Sequence, residues 1–113
     1  TTLTVVYLSD DPYTRQYEMD LVKEMSGQRK GNKIVVVMSS QDDAAAALAD
    51  YSVVYGLDGE NENILLGLDY ILFAQTLAVL KSLSLGITPD NPCPTGEVNR
   101  VVQGVTLYPY TRK

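Results

Sequence analysis

The chain has 113 residues, 45% of them apolar and 20% charged, with a net charge of −5. That size allows one domain with a real core, and the acidic balance argues against a nucleic-acid partner, whose electrostatic footprint is basic. With no histidine and one cysteine, the chain offers no Ser-His or Cys-His nucleophile, no internal disulfide and a reduced menu of zinc ligands. Acid–base chemistry has to use Asp, Glu, Lys or Tyr, or a residue from elsewhere. Cys93 lies between two prolines, has no histidine to lower its pKa and reads as structural. It fits a reducing compartment. The sequence opens on Thr1 with no initiator Met and no secretory signal pattern, which reads as a cut from a longer polypeptide.

Leu3 to Leu8 (LTVVYL) is a continuous apolar run rich in β-branched residues, the pattern of a strand buried on both faces. Ser9-Asp10-Asp11-Pro12 stops it and starts a helix, with Asp11 as the N-cap and Pro12 as the first helical residue. Tyr17, Leu21 and Met25, spaced by four, share one face of that helix, and Tyr13 and Tyr17 are expected to pack. Gly27 is positioned to end the helix in left-handed geometry, and Gln28 to Asn32 is a polar loop. Lys33 to Met38 (KIVVVM) is a second buried strand. Ser40 with Asp43 resembles a capping box, opening a short Ala-rich helix over Gln41 to Ala49 with acids in its first turn, where the macrodipole favours them. Ser52 to Leu57 reads as a third strand and Asp58 to Asn63 as a polar loop.

The longest element runs from Asn63 to Leu85 and spans about 34 Å as a helix, ended by Gly86. Asp69, Gln75 and Lys81 interrupt it and argue against a membrane span, since a central Asp costs about 2.5–3.5 kcal/mol in a bilayer. Its apolar girth exceeds what one sheet face needs, so contact with a second subunit or domain is expected. The order strand, helix, strand, helix, strand, helix predicts an α/β fold with a doubly wound parallel sheet. Right-handed crossovers place the first two helices on one face and the long helix on the other face or an edge. Three strands make only a partial domain with an open sheet edge. The core part is read as residues 1–86 and an extended C-terminal arm as 87–113.

Ligands of open α/β sheets bind outside the carboxyl ends of the strands. Here those ends are Ser9-Asp10-Asp11, Ser39-Ser40 and Gly56-Leu57-Asp58. The acid pair after the first strand has the look of a response-regulator receiver. That pattern also wants an Asp after the middle strand and a Lys after the last, and Ser39 and Asp58 do not supply them. Ser39-Ser40 could hold a phosphate at a helix N-terminus, but Asp42 and Asp43 fill that turn with negative charge and favour capping. Neither G-x-G-x-x-G nor a P-loop occurs.

The arm is set by Pro89, Pro92, Pro94 and Gly96, which forbid a helix. Val101, Val102, Val105 and Leu107 then form a β-prone run ended by Pro109, suited to docking rather than fraying. The segment DNPCPTGEVNRVVQGVTLYP resembles the C-terminal arm of the tagatose-6-phosphate ketose/aldose isomerase family, also assigned as galactosamine-6-phosphate deaminase/isomerases. DPYTRQYEMDLVKE and YILFAQTLAVLKSLSLGITPDNP resemble the same family, so the likeness covers essentially the whole chain.

That resemblance implies a chain of two sugar isomerase (SIS) domains, each a flavodoxin-like five-stranded parallel sheet. The present residues would supply the third, fourth and fifth strands of the second domain, its last helix and the arm. It implies a cytoplasmic homo-oligomer acting on a sugar phosphate without metal or organic cofactor, with no nucleic acid and no membrane as partner. The Glu and His usually assigned to proton transfer would lie outside these residues, in the missing N-terminal part of the parent chain. The arm also resembles the closing segment of glucosamine-6-phosphate synthase, where a lysine reaches the sugar. Gln103 stands in that place and cannot act as an ammonium acid or form an imine, though its amide can both donate and accept hydrogen bonds. Arg100 offers a planar charged fork for a phosphate or a carboxylate, and Glu97 and Asn99 could meet polar groups of the substrate. Each of Glu97, Arg100 and Gln103 also has a tethering role open to it. The alternative function is a non-catalytic sugar-phosphate-binding or regulatory SIS module, and a third is a domain that chiefly dimerises through the long helix.

Overall fold

The computed structural model describes residues 1–57, 63–88, 93–97 and 108–109. The element order is β1 (Leu3–Tyr7), α1 (Pro12–Gly27), β2 (Lys33–Met38), α2 (Asp43–Leu48), β3 (Tyr51–Val54) and α3 (Asn63–Ser84). The strands form one parallel sheet in the order β1-β2-β3. The α/β architecture expected from the alternation is therefore present. The chain divides into two compact units, Thr1–Phe73 and Ala74–Lys113.

In the first unit the strand pleat sorts the core into two layers. Ile34, Val36 and Met38 of β2 join Leu8, Val22 of α1 and Ala45 of α2 on one face. Val35 and Val37 point the other way, against Leu66 and Tyr70 of α3. Successive residues of a strand face opposite sides, so KIVVVM feeds both layers. Right-handed crossovers put α1 and α2 on one face, and Leu66 and Tyr70 of α3 pack on the other.

Asp11 caps α1 as expected, its carboxylate accepting the backbone N–H of Thr14 at 2.7 Å. Three local expectations are corrected. Gly27 is the last helical residue, and the left-handed geometry falls on Lys30 (φ 39°) and Gly31 (φ 86°) in the following turn. The cap of α2 is Asp42 and not Ser40: its carboxylate accepts from Ala45 N–H at 3.1 Å and also from Arg15 at 2.8 Å, a second partner that fixes the start of the helix. The face of α1 turned to the sheet carries Met19, Val22 and Met25, whereas Tyr17 and Leu21 are 64% and 51% exposed. The strand edges also shift, β3 running over Tyr51–Val54 rather than Ser52 to Leu57.

At the amino end of the sheet, Asp50 gathers Lys33 Nζ at 2.8 Å, Ile34 N–H at 2.9 Å and Arg29 at 3.2 Å. The Lys33 hydrogen bond, then the Ile34 amide, hold its carboxyl below the usual carboxylate range. This carboxylate ties β2 to the loop that enters β3.

The Ile64–Ser84 span of α3 has a mean hydropathy of 1.6, enough by length and composition to cross a membrane. In the first unit, however, Leu66 and Tyr70 pack on the sheet, as a helix of a globular domain does. In the second unit α3 ends as expected at Gly86 (φ 72°), with Gly86 N–H bonded to Leu83 O at 3.0 Å and Ile87 N–H to Ser82 O at 2.9 Å. That pair of bonds is a Schellman motif, and glycine carries its left-handed residue without a Cβ penalty.

Candidate functional site

The carboxyl ends of β1 and β2 meet in a hydrogen-bonded rim. Ser9 N–H donates to Glu18 Oε2 at 2.7 Å. Ser9 Oγ accepts from Asp11 N–H at 3.0 Å. Arg15 reaches across the rim, one guanidinium nitrogen to Ser9 O at 2.9 Å and the other to Asp42 at 2.8 Å. Ser39, which is 1% exposed, donates its hydroxyl to Asp10. Tyr70, 8% exposed, sends its hydroxyl from α3 to Leu8 O at 2.8 Å. Tyr55 does the same toward Asp69 O at 2.7 Å.

This network decides what the rim can do. Burial, and then the negative charge of Asp10, push the Tyr70 phenol up to about 12. At neutral pH it is a fixed donor holding the end of β1, not an acid or base. The Arg15 hydrogen bond, helped by the Ala45 amide, holds the Asp42 carboxyl below its usual range. The rim carries four carboxylates (Asp10, Asp11, Glu18, Asp42) against one guanidinium, that of Arg15, which pairs with Asp42. A phosphate brought here would meet net negative charge, so the rim is unsuited to anchoring a phosphoryl group. The capping reading of the two serine and aspartate turns is the one the geometry supports. Beside the rim, Tyr7, Ser9, Thr14, Glu18, Leu66, Gly67 and Tyr70 line a recess of about 250 Å³. It combines apolar walls with polar groups of Ser9, Thr14, Glu18 and Tyr70 that are engaged in the fold.

Of the residues singled out in the arm, Glu97 is exposed. Asn99, Arg100 and Gln103 lie outside the described residues, as do Val101, Val102, Val105 and Leu107. Cys93 is half-buried, with its sulfur 3.1 Å from Thr95 Oγ1. Tyr70 and Glu18 were not foreseen as rim residues. The available signal was Tyr70 itself, a hydroxyl four residues after Leu66 on the sheet-facing stripe of an apolar helix. A buried phenol has to find an acceptor.

No protein-family model matches the chain. It is 42% identical, over 98% of its own length, to D-galactosamine-6-phosphate deaminase AgaS of Shewanella sp. strain ANA-3, and covers 25% of that protein. Among solved structures, a Clostridium novyi NT protein assigned as a tagatose-6-phosphate ketose/aldose isomerase superposes with a TM-score of 0.83 at 42% identity, covering 96% of this chain and 28% of the other. The tagatose-6-phosphate ketose/aldose isomerase of Escherichia coli superposes with a TM-score of 0.69 at 27% identity, covering 98% and 26%. Over nearly all of its own length, the chain is similar to galactosamine-6-phosphate deaminases and tagatose-6-phosphate ketose/aldose isomerases, and it spans about a quarter of those proteins.

Proposed function

We propose that these residues form part of a cytoplasmic sugar-phosphate aldose/ketose isomerase of the SIS type, acting on tagatose 6-phosphate or galactosamine 6-phosphate. With the amino sugar, isomerisation is coupled to release of ammonia. The observation that carries the reading is the 42% identity across 98% of the chain, together with a backbone that superposes at a TM-score of 0.83 on a protein assigned to this activity. The reaction moves a proton between C1 and C2 through an enediol or enolamine, using a positioned acid and base. It requires neither a metal nor an organic cofactor.

Two features support a supporting role for this segment. The chain has no histidine, and the described rim spends its carboxylates and hydroxyls on the fold. The proton-transfer groups therefore belong to the parent chain outside these residues. The arm of residues 87–113 lines or closes over the sugar site, with Arg100 as the anion-binding fork and Glu97, Asn99 and Gln103 as polar contacts. The apolar outer face of α3 lies against another domain or a second subunit of a homo-oligomer. In this reading α3 is a covered helix and not a membrane anchor.

The test is a paired assay of the full-length protein with galactosamine 6-phosphate and with tagatose 6-phosphate, following ammonia and ketose separately. Arg100→Ala and Gln103→Ala should raise KM more than they lower kcat, since neither is the proton carrier. A collapse of kcat at unchanged KM would place the chemistry in the arm and contradict the assignment. A full-length protein that binds the sugar phosphates without turnover would favour the regulatory module instead.

A further inference from the structure

The recess at the carboxyl end of β1 holds a charge that the fold engages only in part. Its walls come from three elements: Tyr7 and Ser9 at the end of β1, Thr14 and Glu18 one turn apart on α1, and Leu66, Gly67 and Tyr70 on α3. Leu66 and Tyr70 are buried, whereas Gly67 is exposed. The Tyr7 and Tyr70 rings lie 5.4 Å apart, inclined by 36°. One space is thus bounded by two aromatic rings, an aliphatic side chain and a single carboxylate.

Glu18 is half-buried and gives one oxygen, Oε2, to Ser9 N–H at 2.7 Å. An ionised carboxylate has two oxygens and about four acceptor sites. Among the described residues, Glu18 Oε1 and the Tyr7 hydroxyl have no hydrogen-bond partner. No buried side-chain oxygen of the described residues lacks a partner, so both atoms are open to solvent. Thr14 turns its hydroxyl to Asp11, and Tyr70 turns its own to Leu8 O. Arg15 is engaged by Ser9 O and Asp42 and is not among the lining residues. Burial first, then the charges of Asp10 and Glu18, raise the Tyr70 phenol, which sets the Glu18 carboxylate and the Tyr70 ring on one space.

Such a space selects a small cation. An ammonium makes charge-assisted hydrogen bonds to a carboxylate, and the faces of tyrosine rings attract it. A divalent metal is a poorer match. Calcium takes about six to eight oxygen ligands, and no group of metal-ligating side chains stands among the described residues. Size narrows the class further. The recess has about 250 Å³, below the roughly 300–1,000 Å³ of ordinary small-molecule pockets, so it admits an amine and not a whole sugar phosphate.

We propose that this recess binds a small primary ammonium group, with Glu18 Oε1 as its acceptor and the Tyr7 and Tyr70 rings around it. Gly67 keeps the exposed side free of a side chain. Two sources supply such a group: a free ammonium ion, which deamination releases, and the amino group of an intact amino sugar reaching in from outside. The site does not rest on the proposed reaction, because binding is read without turnover.

The test is a titration of the full-length protein with methylammonium chloride, without substrate, following the ring resonances of Tyr7 and Tyr70 by NMR. Sodium chloride at matched ionic strength is the control. The expected result is a saturable shift of both rings with methylammonium and none with sodium. Glu18→Gln keeps an acceptor for Ser9 N–H but loses the charge, and should weaken binding about tenfold or more. A Cβ at Gly67 meets nothing within 4 Å, and leucine is a better helix former than glycine. Gly67→Leu should therefore fold and abolish the shift by filling the recess. Equal responses to the two salts, or unchanged affinity in Gly67→Leu or in a folded Glu18→Gln, overturn the proposal. Galactosaminitol 6-phosphate, whose reduced C1 cannot isomerise, separates the sources. A shift with it that Gly67→Leu removes assigns the recess to the sugar's amine, and a shift with methylammonium alone assigns it to free ammonium; either upholds the site. An active deaminase with no methylammonium response sinks the site alone, and a response in a protein without turnover sinks the functional reading alone.

Discussion

The two helical layers flanking the sheet are finished to different degrees. On the α1/α2 side, a small apolar cluster around Val36 and Met38 is closed off by polar ties: Arg15 to Asp42 across the two helices, and Arg29 and Lys33 to Asp50 at the amino end. On the α3 side, Leu66 and Tyr70 pack on the sheet while Ile64, Leu65, Leu68, Ile71 and Leu72 remain more than half exposed. A helix that is apolar all round is normally buried all round. One layer is closed by polar ties, and the other leaves an apolar outer surface exposed.

The largest expected effects come from the cores that both layers share. Met38→Ala and Leu66→Ala remove fully buried side chains from opposite faces of the sheet. Each should cost about 2–5 kcal/mol in denaturant unfolding of the full-length protein. Equal losses would confirm that both faces are true cores, and a small loss at Leu66 would break the comparison. Next is Leu72→Asp on the outer face of α3. If that face is an interface, the substitution should shift the assembly toward smaller species in light scattering or destabilise it by several-fold in the folded/unfolded ratio. A stable, unchanged assembly would show that the apolar face is tolerated by water.

Smaller effects report on the polar ties. Tyr70→Phe leaves Leu8 O without its side-chain donor and should cost about 1–3 kcal/mol. The same variant has a pH signature. The raised phenol pKa contributes stability that is fully present below about 10, the unfolded value, and is lost as pH rises toward about 12. The wild type should lose more stability across that window than Tyr70→Phe. Asp42→Ala removes a helix cap and the Arg15 partner, for about 1–2 kcal/mol. The Asp42 carboxyl is held low, so its contribution is present above the unfolded pKa of about 3.9 and disappears as pH falls through the folded value. Acid titration should erase the difference between wild type and Asp42→Ala.

Much of this fold is written locally. The bounds of β2 follow from KIVVVM between a polar loop and Ser39, and the ends of α1 and α3 follow from Asp11-Pro12 and from Gly86. The shared face of α1 and α2 follows from crossover chirality. What the sequence conceals is which of two apolar stripes on α1 faces the sheet. Tyr17-Leu21-Met25 and Met19-Val22-Met25 both have helical spacing, and only the placement of β2 selects the second. The cap of α2 was hidden for a related reason, because Asp42 gains over Ser40 through Arg15, 27 positions away. The rim at the strand ends was legible as polar turns but not as a closed network, since Tyr70 and Glu18 reach it from elements distant in sequence. For the arm, residue chemistry and resemblance carry the reading of Asn99, Arg100 and Gln103.

On the proposed reading, these residues shape and close a sugar-phosphate site whose proton-transfer groups lie outside them, in a longer parent chain. The most direct measurement is ammonia and ketose formation from galactosamine 6-phosphate by the full-length protein and, at equal molar concentration, by residues 1–113 alone. Turnover by the full-length protein and none by the 113 residues is the predicted result. Measurable turnover by the 113 residues would contradict it.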